Sequence, residues 1–265
     1  MIGKHVSSKG TRTRLLQAAE ALFVEHGYEA MSLRQITMQA GANIAAVNYH
    51  FGGKEALVRE LLSHRLDRLN REREELLAEC ERTYGSPAIN VSVVLSVLFV
   101  PALRLARDGA GGPAFMRFLG RVYSDPSPFI RDHLHEHYCK IFDRFFAAFA
   151  RALPDVPRNE LGVRLQLSLK AVAGMLASEH LDELIAAMCV GGDVSDSSLL
   201  SRLLTVVAPM LTTPFGCVEH AEATDRVMRI AEAAARAIDR SASFERGDRS
   251  TSGASQLRPA MAVRM

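Results

Sequence analysis

Ser32-Leu-Arg-Gln-Ile-Thr-Met-Gln-Ala-Gly41-Ala-Asn43-Ile-Ala-Ala-Val-Asn-Tyr-His-Phe51-Gly-Gly-Lys54 reads as two short helices around a glycine turn. That layout is a helix-turn-helix, in which the second helix enters a DNA major groove. Ser32 followed three residues later by Gln35 forms a capping box for the first helix. Gly41 supplies the positive φ that ends it, and Asn43 caps the next. In the second helix the i, i+4 spacing puts Ala42, Val47 and Phe51 inward. Ala45, Ala46 and Tyr49 are then expected outward, with Asn48 and His50 on the flanks. Two alanines on an outward face keep such a helix slim enough to approach base edges.

The flanking sequence extends this reading. Arg14-Leu-Leu-Gln-Ala-Ala-Glu-Ala-Leu-Phe23, Gly27-Tyr28, Ser32-Leu-Arg-Gln-Ile36 and Asn48-Tyr-His-Phe-Gly-Gly-Lys-Glu-Ala-Leu57 together resemble the N-terminal domain of tetracycline-repressor-type (TetR/AcrR) transcriptional regulators. The resemblance covers residues 11–60. Ala45-Ala-Val-Asn-Tyr-His-Phe51 is similar to a branch that includes fatty-acid-responsive repressors. The chain departs from the common family pattern at Asn48, where a tyrosine is usual, which bears on the bases or phosphates read rather than on docking.

DNA contacts divide into positioning and reading. Ser32 and Arg34 stand at the start of the helix before the recognition helix, where hydroxyl, guanidinium and backbone N–H meet phosphate. Tyr49 and His50 are expected to hold phosphates, and Lys54 adds its charge to the N-terminal dipole of the next helix. Base reading falls to Asn43, Ala45, Ala46 and Asn48, since asparagine pairs with adenine and alanine touches a thymine methyl.

The chain has 265 residues, 48% of them hydrophobic and 23% charged, with a net charge of +2. This length and composition suit a folded protein with a real core. The net charge is too small to indicate nucleic acid alone. Local charge says more, because Lys4, Lys9, Arg12 and Arg14 precede the first acidic residue, Glu20. Such an arm tracks phosphates or is simply solvated. Cys80, Cys139, Cys189 and Cys217 lie far apart without a CxxC pair, so free thiols are expected. No signal segment opens the chain and Val91–Leu105 is too short to span a bilayer, which together predict a cytoplasmic protein away from the membrane.

Helical periodicity runs almost throughout, which predicts an all-α chain of nine or ten helices. Helices are expected at about 11–26, stopped by Gly27, then 54–81, one that opens near Pro87 and takes in 91–105, then 113–123, 129–153, 158–189, 197–211 and 219–240. Pro87 is placed in a first helical turn, and Gly109–Pro113 is a break. The domain reading is a basic arm over 1–10, a helix-turn-helix domain over 11–56, an effector-binding and dimerisation domain over 57–240, and a disordered tail over 241–265.

Phe115, Phe118, Leu119 and Val122 share one helical face, and Leu134, Tyr138, Ile141, Phe145 and Phe149 share another. Stripes of this kind are most often core. The resemblance implies an apolar effector pocket among these helices, with Phe115, Phe118, Leu119, Val122, Phe145 and Met175 as its candidate lining. Arg117 and Arg121 are candidates to meet an acidic head group. His133 and His137 have a zinc-compatible spacing, but no second helix offers a matching pair, so no metal is expected. No cofactor is expected either, for no phosphate-binding loop, nucleophile elbow or dinucleotide fingerprint occurs.

The expected function is a ligand-responsive repressor, not an enzyme. It binds double-stranded operator DNA as a homodimer and is released by a small apolar effector such as a fatty acid or acyl-CoA. The competing readings are a helical DNA-binding protein without an effector, a regulator answering an aromatic or drug-like compound, and a helical enzyme.

Overall fold

The computed structural model describes residues 8–86, 89–107, 112–177, 183, 186, 195–214 and 218–251. Among the described residues every regular element is helical, as the periodicity predicts. The helices are α1 (Ser8–Ala30), α2 (Leu33–Gln39), α3 (Ile44–Phe51), α4 (Lys54–Tyr84), α5 (Val91–Arg107), α6 (Gly112–Ser124), α7 (Pro128–Ala152), α8 (Arg158–Leu176), α9 (Asp196–Thr212) and α10 (Val218–Thr251).

In α1 the stripe of Leu15, Ala18, Ala19, Leu22 and Phe23 is buried, and the helix breaks at Gly27. That residue has φ 77° and ψ 178°, and a Cβ there would stand 2.6 Å from Asp125 Oδ2. Only glycine satisfies both constraints without strain. α4 continues three residues past the expected end, with Leu57, Leu61, Leu62, Leu66, Leu69 and Leu77 buried along one side. One helix thereby carries the core from the small N-terminal domain into the larger one.

α5 contains Pro101, which lacks the N–H that would serve the Val97 carbonyl one turn earlier. α6 packs closely on α8. At Gly120 a Cβ would lie 2.4 Å from Ala177 N and 2.7 Å from Ala173 O, so glycine permits backbone-to-backbone approach. α9 lies against α5 and α8.

The backbone is helical through Thr251, eleven residues past the end expected for the last helix, and residues 252–265 lie outside the described residues. The compact units run Met1–Thr213 and Pro214–Met265, and α10 falls in the second. Over residues 218–238 its side chains are exposed, Val227, Ile230 and Ile238 among them. Ala46, expected outward, is instead half-buried and packs on the core, because α3 lies close against its neighbours on that side. Pro87, Cys189, Cys217 and most of 178–189 lie outside the described residues.

Candidate nucleic-acid interface

The local capping chemistry builds α2 and α3. Ser32 Oγ accepts from Gln35 N at 3.3 Å, while Ser32 N donates to Gln35 Oε1 at 2.9 Å. Both halves of the capping box are therefore made. At the other end Ala42 N donates to the Thr37 carbonyl at 2.9 Å, and Gly41 takes φ 58°. Asn43 Oδ1 then accepts from Ala46 N at 2.8 Å, which fixes the first turn of α3. Gly52, with φ 84°, closes α3.

Val47 is fully buried, and Ala42, Ala46 and Phe51 are partly buried against the core. This leaves Ala45, Asn48 and Tyr49 on the outward face, with Tyr49 82% exposed. His50 is half-buried, its ring lying edge-on to Tyr49 at 5.0 Å. Arg34, Ser32 and Asn43 are exposed beside this face. Met38 and Ile44 are exposed too, and the sequence reading passed over them. Their signal was available, since Met38 falls outside the inward set of Ile36, Thr37 and Ala40.

Several charges are engaged within the fold. Arg14 Nε donates to the Ala40 carbonyl at 2.9 Å, joining α1 to the end of α2. Arg12 pairs with Glu60 and lies over the Phe51 ring. These two arginines are thus structural braces rather than free members of a basic arm. Lys4 lies outside the described residues. Lys54 Nζ sits 4.2 Å from the centre of the Tyr28 ring, and burial lowers its pKa, with Glu29 opposing.

A second set of contacts ties this domain to α6, the turn after it and the start of α7. Arg121 Nε donates to the Val24 carbonyl at 3.0 Å and Nη2 to the Glu25 carbonyl at 3.2 Å. Tyr28 N donates to Asp125 Oδ2 at 3.1 Å, and Ser127 Oγ to Glu29 Oε1 at 3.0 Å. Tyr28 stacks on Phe129 at 4.3 Å, and Phe23 meets Phe118 at 5.6 Å. Arg121 therefore grips α1, which corrects its candidacy for an acidic head group. Phe115, Phe118, Leu119, Val122 and Phe145 are buried, while Met175 is partly exposed on α8.

His133 is 1% exposed, and neither ring nitrogen has a partner. It stacks on His137 at 4.1 Å. Burial first, then the neighbouring His137 and Arg59, push its pKa down to about 4. Among the described residues no three side chains gather as metal ligands, and no helix is long and apolar enough to cross a membrane.

A family model described as "Bacterial regulatory proteins, tetR family" matches residues 15–61, and one described as "Tetracyclin repressor-like, C-terminal domain" matches 96–210. The HTH-type transcriptional repressor KstR2 of Rhodococcus jostii (strain RHA1) is 39% identical over 69 residues, covering 26% of this chain and 34% of that protein. The HTH-type transcriptional dual regulator CecR of Shigella flexneri is 34% identical over 82 residues, 31% of this chain and 36% of its own. These alignments span about a third of each relative. A solved gamma-butyrolactone receptor (ArpA-like protein) superposes over 78% of this chain and 98% of its own, with TM-score 0.45 and 22% identity. The two family matches together take in well over half of the residues, and the chain belongs to the tetR family of bacterial regulatory proteins, which are regulators rather than enzymes.

Proposed function

We propose that the protein is a homodimeric repressor that binds operator DNA and leaves it when a small apolar effector occupies the larger domain. The observation that carries the DNA reading is the capped α3, whose outward face offers Ala45, Asn48 and Tyr49. Asn43, Ala45 and Asn48 serve base reading in this proposal, Ala46 being turned toward the core. Ser32, Arg34, Tyr49, His50 and Lys54 hold phosphates.

Dimerisation is supported by two exposed apolar stripes. Val163, Leu167, Ala171 and Met175 follow one another at four-residue spacing on α8, and Val206 and Met210 do so on α9. Exposed stripes on packed helices suit a self-complementary two-fold interface. Two recognition helices held ~34 Å apart then read successive major grooves.

For the effector, Phe115, Phe118, Leu119, Val122 and Phe145 are the proposed lining, while Met175 falls on the exposed stripe of α8. A fatty acid or its coenzyme A thioester suits such a surface, gaining roughly 0.8 kcal/mol per buried CH₂. The contacts of Phe118 and Arg121 with α1 give ligand-driven movement of α6 a route to α3. The effector acts only to the extent that it favours the conformation with mismatched half-site spacing.

The test is sequencing of genomic fragments retained by the purified protein, followed by anisotropy titrations on the enriched sequence. A palindromic site bound far more tightly than random DNA, and released by acyl compounds in proportion to chain length, is the expected result. Equal affinity for both DNAs would overturn the repressor reading.

A further inference from the structure

Arg73 sits among leucines on the buried side of α4. It lies four residues after Leu69 and four before Leu77 on the buried side of α4, and it is only 4% exposed. A guanidinium stays charged at any ordinary pH, so enclosing one demands compensation. The compensation found is entirely neutral. Nε donates to the Leu98 carbonyl at 2.9 Å, and Nη1 donates to Asn70 Oδ1 at 3.2 Å and to Tyr123 Oη at 3.1 Å. Among the described residues no carboxylate stands within ion-pair distance of Arg73, whereas Arg65, Arg144, Arg151 and Arg164 each have one.

The neighbours share the same imbalance. Asn70 is 6% exposed, and its Nδ2 is enclosed without an acceptor. Tyr123 Oη, having accepted from Arg73, still carries a proton to donate. Nη2 of Arg73 makes no hydrogen bond within the described residues. Guanidinium, amide and hydroxyl thus form a cluster with donors in surplus and one uncancelled positive charge. A carboxylate, acceptor-only and matched to the planar fork of arginine, complements that set.

The position suits the effector proposed above. Tyr123 follows Phe115 and Leu119 at four-residue spacing on α6, so it continues the side of the helix that carries two of the proposed lining residues. Arg117, by contrast, has its Nε enclosed and unpartnered on another face, and Arg121 is engaged with α1.

We propose that Arg73, Asn70 and Tyr123, at the meeting of α4, α5 and α6, are the anchor for the carboxylate of an apolar acid. This rests on the reading that the larger domain takes an apolar effector, and it selects the free acid over the ester or thioester. The anionic head pairs with the Arg73 fork while the apolar tail lies along α6.

The experiment uses the full chain and calorimetric titration with dodecanoate, methyl dodecanoate and dodecanoyl-CoA, each below its micelle concentration. Wild-type protein is expected to bind the acid at least about thirtyfold more tightly than the ester, the scale of a lost buried charge pair. Arg73→Met should bind acid and ester alike, and Tyr123→Phe should keep a reduced preference. Operator binding without ligand, retained in both variants, reports that they fold. Because the acid–ester comparison is made on the wild type, it stands even if a variant fails to fold. Equal binding of acid and ester, or an acid preference that survives in Arg73→Met, overturns the anchor and leaves the effector reading intact. Binding of none of the three compounds to the wild type overturns both.

Discussion

Asn48 is exposed on the outward side of α3, where its amide offers both a donor and an acceptor. In the proposed complex, Asn48→Ala relaxes preference at one operator position, at a cost of about 1–3 kcal/mol. Arg34→Ala weakens binding to every sequence alike and lowers the salt slope by about 1. Anisotropy titrations over a salt series separate the two outcomes. His133 yields a different residue-scale prediction. Its imidazole titrates near 6.5 when free and at about 4 in the fold, so the unfolded chain holds more protons between those values. Stability contributed by the neutral ring is complete above the upper value and is lost as pH falls through this window. Urea midpoints should decline from pH 6.5 to pH 4, and His133→Leu should flatten the decline. A slope unchanged by the substitution would place its origin in other groups.

Among elements, α1 depends on a break that no other residue makes as cheaply. Gly27→Ala forces a side chain into positive φ and against Asp125, and should cost more than about 1 kcal/mol in thermal unfolding. Ser32→Ala, which opens the capping box of α2, should cost about 1 kcal/mol. These features were legible in the sequence because they are local: Ser32 with Gln35, Asn43 with Ala46, and Gly27 or Gly41 at a helix end each speak within a few residues. The inward turn of Ala46, the hold of Arg121 on α1 and the seat of Lys54 over Tyr28 were not, since each depends on helices distant in sequence. Arg73 lies between these cases. A charge on the leucine stripe of α4 was visible, but its lack of a carboxylate partner emerged only once α5 and α6 were in place.

For the whole molecule, the pairing face can be tested without touching the DNA-reading residues. Leu167 and Val206 are 59% and 60% exposed, and a glutamate at either places a charge in the proposed two-fold interface. Leu167→Glu or Val206→Glu should give a 29.1 kDa species in sedimentation and abolish tight operator binding. A variant that stays dimeric would move the interface elsewhere. Gly120 adds a mechanical consequence. Where two backbones touch, there is no layer of pliable side chains to absorb a shift, so α6 and α8 behave as one stiff bracket. One arm of that bracket carries the stripe proposed to meet the second subunit, and the other grips α1 through Arg121. In the proposed dimer the separation of the two reading heads would follow the angle of the bracket, and a small tilt at its corner would grow with distance along the arm. Enlarging Gly120 would reset that angle, changing how widely the dimer straddles the double helix while leaving every DNA-facing residue as it was.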